Sequence, residues 1–405
     1  MFRAALRDRA SRRFFLAHGQ SCLGSGLAHV ALPLMAYEKT GSAWAVTAVL
    51  IPDLLPAIVF GPLLGALVDR VGWRACAIVA DLLRFVGFTL AAFAHSLPAL
   101  VFAAALAGTG TAMFGPAGLA GVSRLAGGQH RPAALGLFGA LDDIGLTVGP
   151  ALAAGLLATT GPQVLLGANA VSFAVSAFLL AGIASRGRRN GPREERTSLW
   201  TDLRVGLRTL GGRADVRLLL ASSTAAVLFA GVTNVGEVLL ARDVLKAGGS
   251  GLAAMVAAHG VGTVLGSLAA RFRTSFQWRR AYLVGLSCMA VDLTLCALAP
   301  SLLVLLPVFV LGGFGNGFAL VHDRLLLGGA VPDALHGRVF ALQKALTSLA
   351  FAGSFVAASV LISTGGVQLT FAVAAVGMTG VIATAAPRMR AAWPAPAGKA
   401  VPVPG

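Results

Sequence analysis

Long apolar runs alternate with short arginine-rich clusters along nearly the whole chain. Read between charge clusters and Gly/Pro breaks, the pattern predicts about twelve helices, each long enough to cross a bilayer. They fall near 14 to 36, 43 to 67, 75 to 95, 98 to 124, 134 to 159, 163 to 185, 217 to 241, 251 to 271, 281 to 299, 302 to 323, 339 to 364 and 367 to 386. A span needs about 20 mostly apolar residues, so this number of spans leaves no room for a large soluble domain. The expected organisation is a cytoplasmic N-terminus at 1–13, a six-helix bundle at 14–185, a central cytoplasmic loop at 186–216, a second six-helix bundle at 217–386 and a disordered tail at 387–405. Within the central loop Leu199, Trp200, Leu203, Leu207 and Leu210 recur at helical spacing against Arg204 and Arg208, which predicts a short amphipathic helix on the lipid surface.

Composition agrees. Of the 405 residues 57% are hydrophobic and 12% charged, more apolar surface than one or two soluble domains can bury. The net charge of +16 would suggest nucleic acid for a soluble protein, but its placement argues for a membrane instead. If the clusters share one side, only Lys39, Arg242 and Lys246 of the 32 basic residues lie opposite. That bias places both termini in the cytoplasm and makes nucleic acid an unexpected partner. The basic N-terminus followed by an apolar run lacks a small-residue cleavage site, so it reads as a first span rather than a signal peptide. Cys22, Cys76, Cys288 and Cys296 lie in or beside apolar runs without CxxC spacing. They read as small core side chains, and the dispersed histidines suggest no metal site. No Walker loop is present, and Gly313, Gly315 and Gly317 sit inside an apolar run, where packing is their expected role. Neither a cofactor nor enzymatic activity is expected.

The two halves echo each other. The segment from Gly61 through Gly65 to Arg70 lies over that from Gly262 through Gly266 to Arg271, and the same offset carries Gly127 and Gly128 onto Gly328 and Gly329. Internal duplication of this sort in transporters places a substrate cavity between the halves near the midplane, opened to each side in turn.

Two motifs narrow the reading. At the end of the second span stand Gly65, Leu67, Asp69, Arg70, Gly72 and Arg74, which resemble signature A of the major facilitator superfamily, G-x-L-x-D-R-x-G-R-R/K. Gly65 allows close helix approach, while Asp69 and Arg70 form a charged latch at the membrane surface. The resemblance implies that this latch holds an outward-facing state. The first basic position after Gly72 is Trp73 here. In the fifth span Gly136, Gly145, Gly149 and Pro150 resemble the antiporter signature C, G(x8)G(x3)GP(x2)GG, with Ala153 and Ala154 in place of the last glycines. Small residues there would seat the helix against a partner of the other half, and the proline would bend it; the alternative is a generic small-xxx-small packing stripe.

The chain is identified as a member of this superfamily over nearly its whole length, similar to its 12-span drug, macrolide and siderophore exporters. The segments Ala31 to Leu34, Thr40 to Ser42, Gly315 to Gly317 and Gly337 to Phe340 share that resemblance. What it implies is an all-α integral membrane protein of two pseudo-symmetric six-helix bundles. Such a protein would export a small amphipathic compound by alternating access, exchanging it for protons, as a monomer in a bacterial plasma membrane. Metabolite uptake or exchange and a transport-inactive sensor are the alternatives. Signature B is absent, since Ala104 stands where many proton-coupled members carry a buried arginine, and Ser25 stands where many relatives have a first-helix acid, so a proton site must lie elsewhere or the protein is not driven by protons.

A carboxylate inside a span costs roughly 2.5–3.5 kcal/mol, so embedded acids are candidates for coupling or substrate contact. They are Asp53, Asp142, Asp143, Glu237 and Asp292. Asp142 shares a helical stripe with Gly145 and Gly149, and His259 shares one with Gly262 and Gly266. In the superfamily the fifth and eighth spans face each other, so Asp142 and His259 are expected to approach, with protonation loosening the contact. The bland reading is that the two residues pack separately. Asp81 and Arg84 read as a structural intrahelical pair near the cytoplasmic surface.

Overall fold

The computed structural model of the chain describes residues 8–126, 130–183, 213–270, 275–299, 301–331 and 335–392. These residues form α1 (Arg9–Thr40), α2 (Ala43–Val71), α3 (Trp73–Ala92), α4 (Leu97–Leu125), α5 (Arg131–Leu157), α6 (Pro162–Ala181), α7 (Ala214–Ala230), α8 (Thr233–Leu239), α9 (Gly248–Ala269), α10 (Ser275–Leu298), α11 (Leu302–Ala330) and α12 (His336–Ala392). A π-helical turn at Leu240–Val244 prolongs α8. Among the described residues there is no strand.

Short polar caps set the helix starts. Ser42 Oγ accepts from the Trp44 N–H at 3.2 Å, Ser96 Oγ from Ala99 at 3.4 Å and Ser301 Oγ from Val304 at 3.4 Å, each satisfying an N–H that the first turn leaves bare. Gly72, with φ of 104°, lets the chain turn from α2 into α3 within one residue. Ten helices among the described residues are long and apolar enough to cross a membrane. One of them, Leu342–Arg390, runs for 49 residues and breaks at Gly366, so it has the length of two crossings. Counting it twice, and adding α1 with its charged ends, recovers the expected twelve. The expected amphipathic helix of the central loop lies outside the described residues, as does most of the expected tail, although α12 continues helical to Ala392.

Packing divides the chain into two compact units. One comprises Met1–Glu195, Asn234–Gly260 and Phe355–Val367, the other Arg196–Thr233, Val261–Ser354 and Gln368–Gly405. In the first, α3 packs on α4 and α6, and α1 on α5 and α6. A core of Phe14, Trp73, Phe114, Phe138 and Leu180 fills one end. In the second, α10 packs on α11, with Phe318, Ala270 and Ala281 in one buried cluster.

Each unit uses the same device to bring neighbouring spans together. A Cβ on Gly87 would lie 2.8 Å from the Ala107 backbone, and one on Gly285 2.6 Å from the Gly315 carbonyl. Backbone contact at these distances excludes any side chain and extends the dispersion contact along the helices. Gly262 and Gly266 face the backbone of Val310 and Phe314, whereas Gly61, the counterpart of Gly262 in the repeat, has open space around it. On that side the close approach occurs at Gly108, whose Cβ would lie 2.7 Å from Asp53 Cα.

Candidate functional site

A polar cluster occupies the middle of the first unit. Asp81 and Arg84, one turn apart on α3, are both buried rather than lying at the membrane surface, because α3 spans 73 to 92 and puts them at its centre. Arg84 donates to Asp81 Oδ1, and the Ser176 hydroxyl donates to Asp81 Oδ2 at 2.6 Å. The guanidinium lies between the rings of Phe114 and Phe173, 4.2 Å from each centroid. Both carboxylate oxygens are thereby bonded and the cation sits on two π faces, while the buried Arg84 Nε–H has no hydrogen-bond partner among the described residues.

Beside this pair α1 and α5 contribute three more groups. His18 and Cys22, four residues apart, share one face of α1. His18 Nε2 lies 3.3 Å from Asp142 Oδ1, and the Cys22 thiol donates to the same oxygen at 3.3 Å. The His18 ring is stacked on Phe138, with centroids 3.9 Å apart and planes 2° from parallel. His18 and Cys22 are buried, while 54% of the Asp142 side chain is exposed. Arg84 acts electrostatically on both Cys22 and Asp142, and His18 on Asp81.

The structure gives Asp142 different partners from the one expected. Its neighbours are His18 and Cys22, while His259 lies within electrostatic reach of His29. The expected approach of the fifth and eighth spans is made instead by backbone, since a Cβ on Gly260 would lie 2.9 Å from Thr147 Cα. The fifth-span glycines also face a different helix from the one anticipated. A Cβ on Gly145 would meet the Cys22 carbonyl at 2.5 Å, and one on Gly149 would meet Gly26 Cα at 2.5 Å. The seam therefore joins α5 to α1. Gly136 has open space around it, and Pro150 lies within α5.

Further contacts within this unit join its first six helices to the two later segments. Tyr37 donates to Asp243, and Arg242 pairs with Glu38 at 2.9 Å. The Thr47 hydroxyl reaches the Phe355 carbonyl at 2.9 Å and the Ser359 hydroxyl at 2.7 Å. These groups lie at the ends of the helices away from the arginine-rich loops, beside Lys39 and Lys246.

Of the remaining predicted residues, Asp53 is half-buried on α2 and Asp143 is exposed on α5, with its carbonyl accepting from Thr147 at 2.9 Å. Glu237 is buried on α8, and Asp292 is buried on α10 beside Gly312, with the Cys296 thiol 3.8 Å from its Oδ1. In the latch motif Gly65 is buried, and Asp69 and Arg70 are exposed. Gly72 takes its positive φ, and Arg74 donates to the carbonyls of Leu180, at 3.1 Å, and Ala181. Arg13 donates to the neighbouring Gly182 carbonyl, so two arginines cap the C-terminus of α6. Trp73, where the motif would carry a cation, is buried edge-on against Phe14 and over Gly121.

The sequence reading passed over Asp323 in the second unit. It is buried on α11, with Oδ2 accepting from the Gln343 amide at 2.6 Å and Oδ1 enclosed without a hydrogen-bond partner among the described residues. Gln343 also donates to Ser223 at 3.4 Å. The Tyr282 hydroxyl lies 3.3 Å from the Ser222 hydroxyl, and Arg324 acts on the Asp323 carboxyl electrostatically. The predicted span stops at 323, whereas α11 continues to Ala330 and so carries Asp323 within the helix.

Comparison with known proteins agrees with this architecture. Residues 14–352 match the family model of the Major Facilitator Superfamily. The multidrug efflux pump Tap of Mycolicibacterium fortuitum is 26% identical over 387 residues, covering 91% of this chain and 93% of Tap. The uncharacterised MFS-type transporter YfiS of Bacillus subtilis is 26% identical, covering 87% of each chain. Among solved structures the nucleoside transporter NupG superposes with a TM-score of 0.78 at 13% identity, over 95% of this chain and 99% of NupG. A bacterial homologue of the human lysosomal transporter Spinster superposes with a TM-score of 0.68 at 14% identity, over 95% of this chain and 96% of the homologue. Likeness at such identity shows the fold alone. A multi-pass helical protein with this match over most of its length belongs to the Major Facilitator Superfamily, a family of membrane transporters and not of enzymes.

Proposed function

We propose that the protein exports a small amphipathic organic compound across the bacterial plasma membrane by alternating access, in exchange for protons, as a monomer with both termini in the cytoplasm. The observation that carries this reading is the seam between α5 and α1. Residues resembling the antiporter signature are spent on backbone contact at Gly145 and Gly149, the use that a packing signature requires. Similarity to Tap, a multidrug efflux pump by its name, supports the same direction. Asp69 and Arg70 then form the cytoplasmic latch, and the Tyr37–Asp243, Glu38–Arg242 and Thr47–Ser359 contacts close the outer side.

Proton exchange needs an acid that is enclosed in one state and wetted in another. We assign this role to Asp323. One of its oxygens is bonded by Gln343 and the other is enclosed without a hydrogen-bond partner among the described residues, so a bound proton would relieve a buried negative charge. Asp53, Glu237 and Asp292 remain candidates for lining the pathway. Cells expressing the protein, loaded with a fluorescent amphipathic dye, should extrude it in a manner abolished by a protonophore. Asp323→Asn should abolish energised extrusion. No extrusion by the wild type across a panel of dyes, with or without the protonophore, would remove the reading.

A further inference from the structure

The cluster of His18, Cys22 and Asp142 has the dimensions of a metal site. Zn2+ binds imidazole nitrogen and carboxylate oxygen at about 2.0 Å and thiolate sulfur at about 2.3 Å, in tetrahedral geometry. Those bond lengths separate the nitrogen and oxygen by about 3.3 Å, and the sulfur from each by about 3.5 Å. Here His18 Nε2 and Asp142 Oδ1 are 3.3 Å apart, Cys22 Sγ and Asp142 Oδ1 3.3 Å, and Cys22 Sγ and His18 Nε2 3.6 Å. All three ligand atoms lie within 4.8 Å of one another.

We propose that these three residues bind one Zn2+ ion, or a divalent ion of similar softness. Two ligands come from one face of α1 at a spacing of four, the arrangement by which a single helix presents paired ligands to a metal. The third is brought by α5 through the glycine seam, since Gly145 lies against the Cys22 carbonyl and Asp142 is one turn before it. The stacking of His18 on Phe138 holds the ring in place. Binding displaces the Cys22 proton to water, and the thiolate and the Asp142 carboxylate together cancel the charge of the ion. Asp142, exposed over 54% of its side chain, provides the way in and leaves the fourth position to water. A thiolate, imidazole and carboxylate set selects zinc over magnesium or calcium, which prefer oxygen alone.

The test is titration of the purified, chelator-treated full chain with Co2+, a spectroscopic stand-in for Zn2+. The expected result is one equivalent bound, with a thiolate-to-cobalt charge-transfer band and tetrahedral d–d bands, all displaced by Zn2+. Cys22→Ala should remove the charge-transfer band and Cys288→Ala should keep it. Asp142→Asn, at a half-exposed position that leaves the fold intact, should weaken binding at least about tenfold. A folded wild type with no charge-transfer band, or a band that survives Cys22→Ala, would overturn the proposal. So would an affinity unchanged by Asp142→Asn. None of these readouts depends on transport, so the outcome is separable from that of the efflux assay.

Discussion

Gly149 and Gly26 meet backbone to backbone: a Cβ added to Gly149 would lie 2.5 Å from Gly26 Cα. No rotamer relieves such a clash, because the obstructing atoms belong to the two helices themselves. Gly149→Ala must therefore push α5 from α1, at an overpacking cost of about 1–3 kcal/mol. The expected outcome is a lowered thermal midpoint in detergent and reduced transport. Gly136→Ala, in the same motif but facing open space, should change neither. Equal losses in the two variants would show that the motif acts by something other than contact.

The buried pair on α3 makes a second prediction. Arg84→Leu leaves Asp81 enclosed without its cation, and breaking a buried pair from one side typically costs about 3–5 kcal/mol. The double variant Asp81→Asn/Arg84→Leu removes both charges and should recover much of that loss in denaturant or thermal unfolding. Additive losses would mean that the two residues are stabilised independently.

At the other end of the first unit the Glu38–Arg242 pair is about one-third exposed on each side, so its worth to stability is small, at most about 1 kcal/mol. Its expected role is in the transport cycle. Glu38→Arg should slow transport by placing like charges together, and Glu38→Arg/Arg242→Glu should restore the rate. Failure of the exchange to restore it would detach this contact from gating.

Trp73 offers a test of how the chain departs from its family's pattern. The ring packs on Phe14 and covers Gly121, so restoring the cation with Trp73→Arg removes buried aromatic surface. A loss of about 3–5 kcal/mol is expected, the range for truncating a buried tryptophan. An unchanged thermal midpoint would contradict the packing role.

Much of this was legible in the sequence, for definite reasons. Hydropathy and arginine placement are properties of contiguous segments, so the spans could be drawn within a few residues, as at 98 to 124 against Leu97–Leu125. Glycines declare close contact but not the partner, which is why Gly145 and Gly149 were expected against the other half and are found on α1. Partners across helices depend on rotation about each axis, which no local pattern fixes. His18 and Cys22 carry metal-ligand spacing on α1, yet their third member is 120 positions away and was paired in the sequence with His259. Spacing reveals Asp81 and Arg84 as a pair but not the Phe114 and Phe173 rings that other helices bring against Arg84, and Asp323 is not singled out by a predicted span that stops where α11 runs on to Ala330.

The central claim is that solute moves outward in exchange for protons through Asp323. Purified protein in liposomes, with a proton gradient imposed in either direction, measures it most directly. Dye is expected to accumulate on the side from which protons leave. Asp323→Asn is expected to lose this accumulation while still exchanging dye down its own gradient. Accumulation on the side the protons enter, or at a rate indifferent to the gradient, would contradict the claim.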